Sequence, residues 1–276
     1  LISYLYENRE GGQMDFDKQK DHLSTKAYGL GIQTHRMNII SKNGLLLPGK
    51  HESLASILSF TYHDFDAFYG LKSLHSQQLS AYANIFYENF IDKKEHHKID
   101  VGMSYQIDGY NESFNDSNSL RIESVPGIFA QYSYILDDKF IVIAGLRGDV
   151  HNLYGFFLTP RLHMKWQMLN HTSLRLSIGK GYRAPNLYIE NTSLMNTSRV
   201  FVIEEDIKAE EAWNAGASIT QTFKIKGKES TVILDYFYTH FNQQTIVNVD
   251  RNPQKVYFYN LNGSQSFAHS AQIEWM

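Results

Sequence analysis

Residues 139–151 read KFIVIAGLRGDVH, and their alternation decides the fold. Phe140, Val142, Ala144, Leu146 and Val150 fall on one parity; Ile141, Ile143, Gly145, Arg147, Asp149 and His151 fall on the other. In an extended chain successive side chains point to opposite faces, so one face here is apolar and the other carries charge. The next stretch repeats the pattern. Phe156, Leu158, Leu162, Met164, Trp166 and Met168 share one face, and Thr159, Arg161, His163, Lys165 and Gln167 the other. Leu174, Leu176 and Ile178 alternate with Arg175, Ser177 and Gly179. Val232, Leu234, Tyr236 and Tyr238 alternate with Asp235 and Thr239, and Val101, Met103, Tyr105 and Ile107 with Gly102, Ser104, Gln106 and Asp108. A period of two throughout means strands.

These runs exceed the roughly 5–6 residues usual in soluble sheets and reach the roughly 9–11 that a membrane-spanning strand needs. The spacing predicts about twelve strands, over residues 1–9, 22–38, 52–66, 74–90, 97–110, 119–136, 139–152, 155–168, 172–186, 210–225, 229–247 and 254–275. The connectors alternate in character. Those at 92–96, 137–138, 169–171 and 226–228 are tight or charged; those at 10–21, 111–118 and 187–209 are longer and polar. Short turns at one end and long loops at the other is the pattern of outer-membrane barrels. Two connectors depart from it: 41–50 is long where a tight turn is expected, and 153–154 is short where a loop is expected.

Energetics orient the faces. A cationic side chain facing lipid at mid-depth costs about 2–4 kcal/mol. Arg147, Arg161, Lys165 and Arg175 share a parity, so together on the lipid side they could offset a domain's whole stability of about 5–15 kcal/mol. They therefore face an aqueous or protein-filled interior with Asp149 and His163, and a one-residue slip would put all four cations in the bilayer. Phe140, Val142, Leu146, Leu158, Leu162, Leu174, Leu176 and Val232 are the expected lipid contacts. Tyr182, Trp166 and Trp213, near strand ends, suit an interfacial aromatic girdle, although aromatics favour any strand.

Composition agrees. The chain has 276 residues, 42% apolar and 20% charged, with net charge −3, which is too apolar and too neutral for a disordered tail. No Lys/Arg cluster provides a nucleic-acid footprint. The absence of cysteine excludes disulfide scaffolds, thiolate zinc sites and cysteine nucleophiles. No apolar run approaches the roughly 18 residues of a spanning helix, and barrels, whose apolar residues are interleaved, escape that test. The chain starts and ends in what reads as mid-strand, as expected of a piece of a longer protein.

Several segments resemble TonB-dependent outer-membrane receptors, in the style of Bacteroidetes. They include residues 123–132 (ESVPGIFAQY) and 140–149 (FIVIAGLRGD). The most specific is 174–186 (LRLSIGKGYRAPN) followed by LYIE at 187–190. It is similar to the family's strand-to-loop motif: an Arg-bearing strand, Gly179 and Gly181, then Tyr182-Arg183-Ala184-Pro185 and the acidic Glu190. EAWNAG at 211–216, Tyr259-Asn260 and AQIE at 271–274 resemble the strands that follow. The resemblance covers most of 120–276; before 120 only the strand rhythm supports it.

The resemblance implies an all-β fold, with long antiparallel meander strands forming part of a transmembrane β-barrel over residues 1–276. In such receptors a plug sits inside a barrel of 22 strands; this chain shows about half the strands and no plug. The implied function is import of a scarce solute (a metal chelate such as a siderophore, haem, or cobalamin) with energy from the inner membrane. The TonB complex would be engaged through the missing plug. Partners are then outer-membrane lipid and that solute, with no nucleic acid and no cofactor. This part would form wall and mouth, with 187–209 as the solute-contacting loop and Arg183, Tyr188, Glu190, Arg199 and Phe201 as its candidate contacts. Arg183 reads more readily as a structural ion-pair residue near the rim than as a solute contact. Gly179 and Gly181 leave room on the interior parity, and Pro185 ends the ladder.

No catalytic or metal motif survives inspection. His51-Glu52 lacks the second histidine of a zinc protease, and Gly29-Leu30-Gly31 lacks the rest of a dinucleotide fingerprint. His96-His97 sits in a charged turn. Glu204-Glu205-Asp206 with Glu210-Glu211 could hold a hard cation such as calcium, but reads better as a solvated loop. Asn-x-Ser/Thr triplets at Asn111, Asn115, Asn191 and Asn196 follow from polar loop composition. The chain is expected to be no enzyme. The alternatives are a passive porin-like barrel of about twelve strands and, less compatible with long strands and inward arginines, a soluble all-β binding module.

Overall fold

The computed structural model describes residues 1–49, 51–137 and 139–276. Twelve strands pair antiparallel in a single sheet that follows chain order. They are β1 (Ile2–Gly12), β2 (Gly29–Leu46), β3 (Glu52–Tyr69), β4 (Lys72–Phe90), β5 (His97–Phe114), β6 (Ser117–Leu136), β7 (Phe140–His151), β8 (Gly155–Leu169) and β9 (Thr172–Arg183), then β11 (Glu210–Ile225), β12 (Lys228–Gln243) and β15 (Ser266–Trp275). Three short strands, β10 (Val200–Ile203), β13 (Thr245–Asn248) and β14 (Lys255–Asn260), form a second sheet in the order β10-β14-β13. Among the described residues, helix is confined to single turns at α1 (Lys18–Asp21), α2 (Leu187–Glu190) and α3 (Thr192–Met195).

All connectors at one end are short: 47–51, 91–96, 137–139, 170–171 and 226–227. Lys226 and Gly227 have φ of +50° and +82°, the type I′ geometry whose twist matches the flanking strands; Gly227 supplies it without a steric penalty. The other end mixes three tight hairpins (70–71, 115–116, 152–154) with three long excursions (13–28, 184–209, 244–265).

Cross-strand partners share a face, so the register tests the alternation directly. Asp100, Gln131, Gly145, Arg161, Gly179, Asn214 and Thr239 form one continuous row. Ile141, Lys165, Arg175, Ser218 and Asp235 form another on the same side. The opposite side exposes Val101, Met103, Ile128, Leu146, Leu158, Leu162, Trp166, Leu176 and Leu234 in a broad apolar band.

Four sequence expectations need correcting. The second strand begins at Gly29, not 22, and continues to Leu46. Its SKNG stretch reads as a loop, but it pairs along its whole length with β3, and cross-strand pairing outweighs turn propensity. The connector expected at 41–50 shrinks accordingly; Lys50 itself lies outside the described residues, as does Asp138 of the expected 137–138 turn. The expected loop at 111–118 is a two-residue turn, with β5 and β6 paired out to Phe114 and Ser117. Beyond the apolar band water meets both faces, so polar strand and polar loop look alike in sequence. Finally, 229–247 and 254–275 are each two strands, because β13 and β14 leave the wall for the second sheet.

Leu146→Arg or Leu162→Arg is expected to lower barrel stability by about 2–4 kcal/mol. Ile143→Arg, on the opposite parity, should stay within about 1 kcal/mol. Denaturant titration of the full-length protein in vesicles measures both.

Candidate functional site: the inner wall and the mouth

The inner wall is built from strand parity. Arg147 Nε donates to Asp149 Oδ2 at 2.8 Å, and its Nη2 lies 2.7 Å from both Asp149 Oδ1 and Ser104 Oγ. Two charges sit this close to the backbone only because the facing residue is glycine: a Cβ on Gly127 would collide with the Asp149 carboxylate. Arg161 Nη2 donates to Gln131 Oε1 at 2.7 Å, and Gln131 Nε2 donates to Asp100 Oδ2 at 2.8 Å. Lys98 completes the chain, 2.6 Å from Glu88 and 3.5 Å from Asp100. His163, Lys165 and Arg175 lie on the same face, and His163 lines cavities on either side of it. The result is a polar wall in which Arg147 and Lys98 pair with carboxylates and Arg161 with an amide, the partnering under which charge tolerates partial removal from water.

The motif segment departs from simple parity. Tyr182 shares the parity of Leu174, Leu176 and Ile178, yet it stacks on Phe157 of the inner face, with centroids 3.9 Å apart and planes 7° apart. It therefore does not join the girdle; Trp166 and Trp213 stay exposed on the apolar side. Arg183 bridges Glu190 (2.9 Å) and Glu210 (2.9 Å from Nε) at the rim. Gly179 lies against Arg161 and the Pro160 carbonyl, whereas space around Gly181 is open. Ala184 and Pro185 lie just past the strand end.

The end with the long excursions carries a folded cap. Segment 184–209 supplies α2, α3 and β10, and segment 244–265 supplies β13 and β14. Parallel pairing of β10 with β14 joins the two segments. The cap reaches across to the distant strands β3–β5. Tyr188 stacks on Phe114 (4.8 Å), Phe201 stacks on Phe114 (5.5 Å) and contacts Phe258 (5.3 Å). Met195, Leu74, Ala67 and Tyr69 are buried together beneath them. Lys72 Nζ donates to the carbonyls of Thr197 and Arg199, both at 2.6 Å, and Arg199 Nη1 donates to Val249 O at 2.9 Å. Burial raises the Tyr188 phenol pKa above its ordinary value.

Of the five candidate contacts, the structure brings Arg183 and Glu190 together at the rim and Tyr188 and Phe201 together inside the cap, and ties Arg199 to the second loop segment. The acidic run is consumed pairwise. Glu204 pairs with Arg251, Glu211 with Lys180, and Glu210 with Arg183 and the Thr245 N–H. Glu205 accepts the Asn260 N–H and the Asn262 amide, which hold its carboxyl below the usual range. Asn260, 1% exposed, clamps Lys208 and Asp206 of the other segment. The anchors missed in the sequence are Lys72, Phe114, Phe258 and Asn260. The first two carry no signal there, because they act on residues more than seventy positions away.

Known proteins share this architecture. A family model described as TonB dependent receptor-like, beta-barrel, matches residues 4–267. The ferrienterobactin receptor of Escherichia coli (strain K12) is 30% identical over 93 residues, 34% of this chain and 12% of that protein. Among solved structures, the FrpB iron transporter from Neisseria meningitidis (F5-1 variant) superimposes with TM-score 0.64 at 14% identity, over 99% of this chain and 47% of that one. The siderophore receptor PirA from Pseudomonas aeruginosa gives TM-score 0.61 at 14% identity, over 90% of this chain and 46% of that one. These structural likenesses are of fold, and the chain spans less than half the length of each relative.

Phe201→Ala, which empties the centre of the aromatic stack, is expected to loosen the cap by about 1–3 kcal/mol, less than a fully buried phenylalanine would cost. Limited proteolysis should cut within 187–209 faster, while the barrel keeps its heat-modifiable gel mobility.

Proposed function

The chain belongs to the TonB-dependent receptor-like β-barrel family, and we propose that it forms the wall and mouth of an outer-membrane importer of a scarce solute of the siderophore, haem or cobalamin class. In this reading, work from the inner membrane reaches the barrel through a plug that is not part of residues 1–276. The observation that carries the proposal is the pairing of a polar, charge-lined hollow with a folded cap over its mouth. An importer needs both: a cap that sorts solutes in water, and a hollow that a plug can occupy or vacate.

Solute contact is assigned to the cap segment 187–209 and its rim. Arg183, with 55% of its side chain exposed, and Glu190 border the path directly. Tyr188 and Phe201 act from inside the cap by fixing its shape, and Arg199 by holding the two loop segments together. The passive reading, a closed barrel of about twelve strands, needs β1 to pair with β15; each instead pairs on one side only, with β2 and β12.

Deleting residues 190–206 from the full-length protein should abolish solute uptake while leaving outer-membrane assembly intact. Iron-limited cells offered a ferric siderophore, haemin or cyanocobalamin provide the readout. Unchanged uptake of the solute that the unaltered protein imports would refute the assignment of this segment.

A further inference from the structure

Two of the chain's five prolines lie inside strands, and both interrupt the wall beside the outer tip of the β7–β8 hairpin. On β6, Ser124 turns its peptide groups towards β7, since its carbonyl accepts the Asn152 N–H at 3.1 Å. Pro126 is two residues on, points the same way and has no N–H to offer; the regular β6–β7 ladder stops at Gly127–Asp149. On β8, Gln167 donates to Lys139 O of β7 at 2.7 Å, so odd-numbered positions face β7 and Pro160 faces β9. The β8–β9 ladder stops at Arg161–Gly179, immediately before it. Above that point Leu158 and Tyr182 are unpaired across the gap, although β8 still pairs with β7 and β9 with β11.

The two edges of the tip are closed differently. On the β6 side Asn152 replaces the lost ladder: Ser124 N–H donates to its Oδ1 at 2.9 Å and its Nδ2 donates to Ile122 O at 2.9 Å. On the β9 side the closure is the Tyr182 ring lying on Phe157. The Asn152 side-chain hydrogen bonds can pivot about the side-chain torsions without breaking, whereas a stacked ring pair separates or holds.

We infer that residues 150–160 form a flap in the barrel wall, hinged on β6 through Asn152 and latched to β9 by Tyr182 on Phe157. Opening the latch parts a seam between β8 and β9. It joins the outer apolar face to an inner cavity of about 450 Å³ bordered by Gly179, Gly181, Tyr182 and Arg183. The seam lies at the outer end of the strands, where water can satisfy the freed peptide groups that mid-bilayer hydrocarbon would not. The inward turn of Tyr182, against its parity, is the geometric trace of the break.

Hydrogen exchange of the full-length protein in outer-membrane vesicles tests the flap without reference to any solute. Exchange in 155–160 should be faster than in 161–168. Tyr182→Ala should speed it a further fivefold or so, the size a stacked pair supports, and Pro160→Val, which restores a donor towards β9, should slow it. A Phe157→Cys/Tyr182→Cys pair, oxidised in this otherwise cysteine-free chain, should likewise slow it, and reduction should reverse the effect. Equal exchange in the two segments of the unaltered protein, or no response to the latch and proline variants, would overturn the inference.

Discussion

A peptide group in hydrocarbon finds no hydrogen-bond partner except another peptide group, and the rest of this structure follows from that constraint. It requires strands long enough to cross, paired edge to edge, and twelve of them run in chain order in one sheet. Pairing then makes the side chains sort by parity, since a pleated strand has only two faces. With lipid on one face, every cation must take the other. The Arg147–Asp149 pair and the Arg161–Gln131–Asp100 chain are what that crowding produces: charges held against each other, with glycine opposite where two must share space.

The constraint lapses outside the bilayer, and the architecture changes there. Strands β3–β6 continue well past the apolar band, to 20 residues in β6, whereas β7 has 12. The wall is therefore tall on one side and low on the other. The cap rises from beyond the low side and seats on the tall side, through Lys72 and Phe114. Its own sheet is small, so its stability rests on the aromatic stack and on Asn260 and Glu205 clamping one loop segment to the other. The same relief from hydrocarbon lets Pro126 and Pro160 interrupt the wall near its outer end.

The wall was legible in sequence because burial and solvation write a period of two. Arg147, Arg161, Lys165 and Arg175 fall on one face in the register as their spacing requires. The extensions of β2, β5 and β6 were not legible, since a strand wetted on both faces loses its alternation. The cap sheet was hidden because four-residue strands such as β10 and β13 carry too few positions to show a pattern. Tyr182 misled for a different reason. On the side of β8 the ladder stops at Arg161–Gly179, beside Pro160, and this leaves the Tyr182 ring room to turn over Phe157 although β9 still pairs with β11. At the mouth, the chemistry of Arg183 and Glu190 was readable as an ion pair or a contact, but the seventy-residue reach between Phe114 and Tyr188 leaves no local trace.

Nitroxide scanning of residues 143–150, one engineered cysteine at a time in outer-membrane vesicles, tests the sorting of faces most directly. Labels at positions 144 and 146 should be relaxed strongly by lipid-dissolved oxygen and weakly by a water-soluble nickel chelate. Labels at 145, 147 and 149 should show the reverse preference or shielding from both. A profile without a two-residue period, or one with the parities exchanged, would contradict the account.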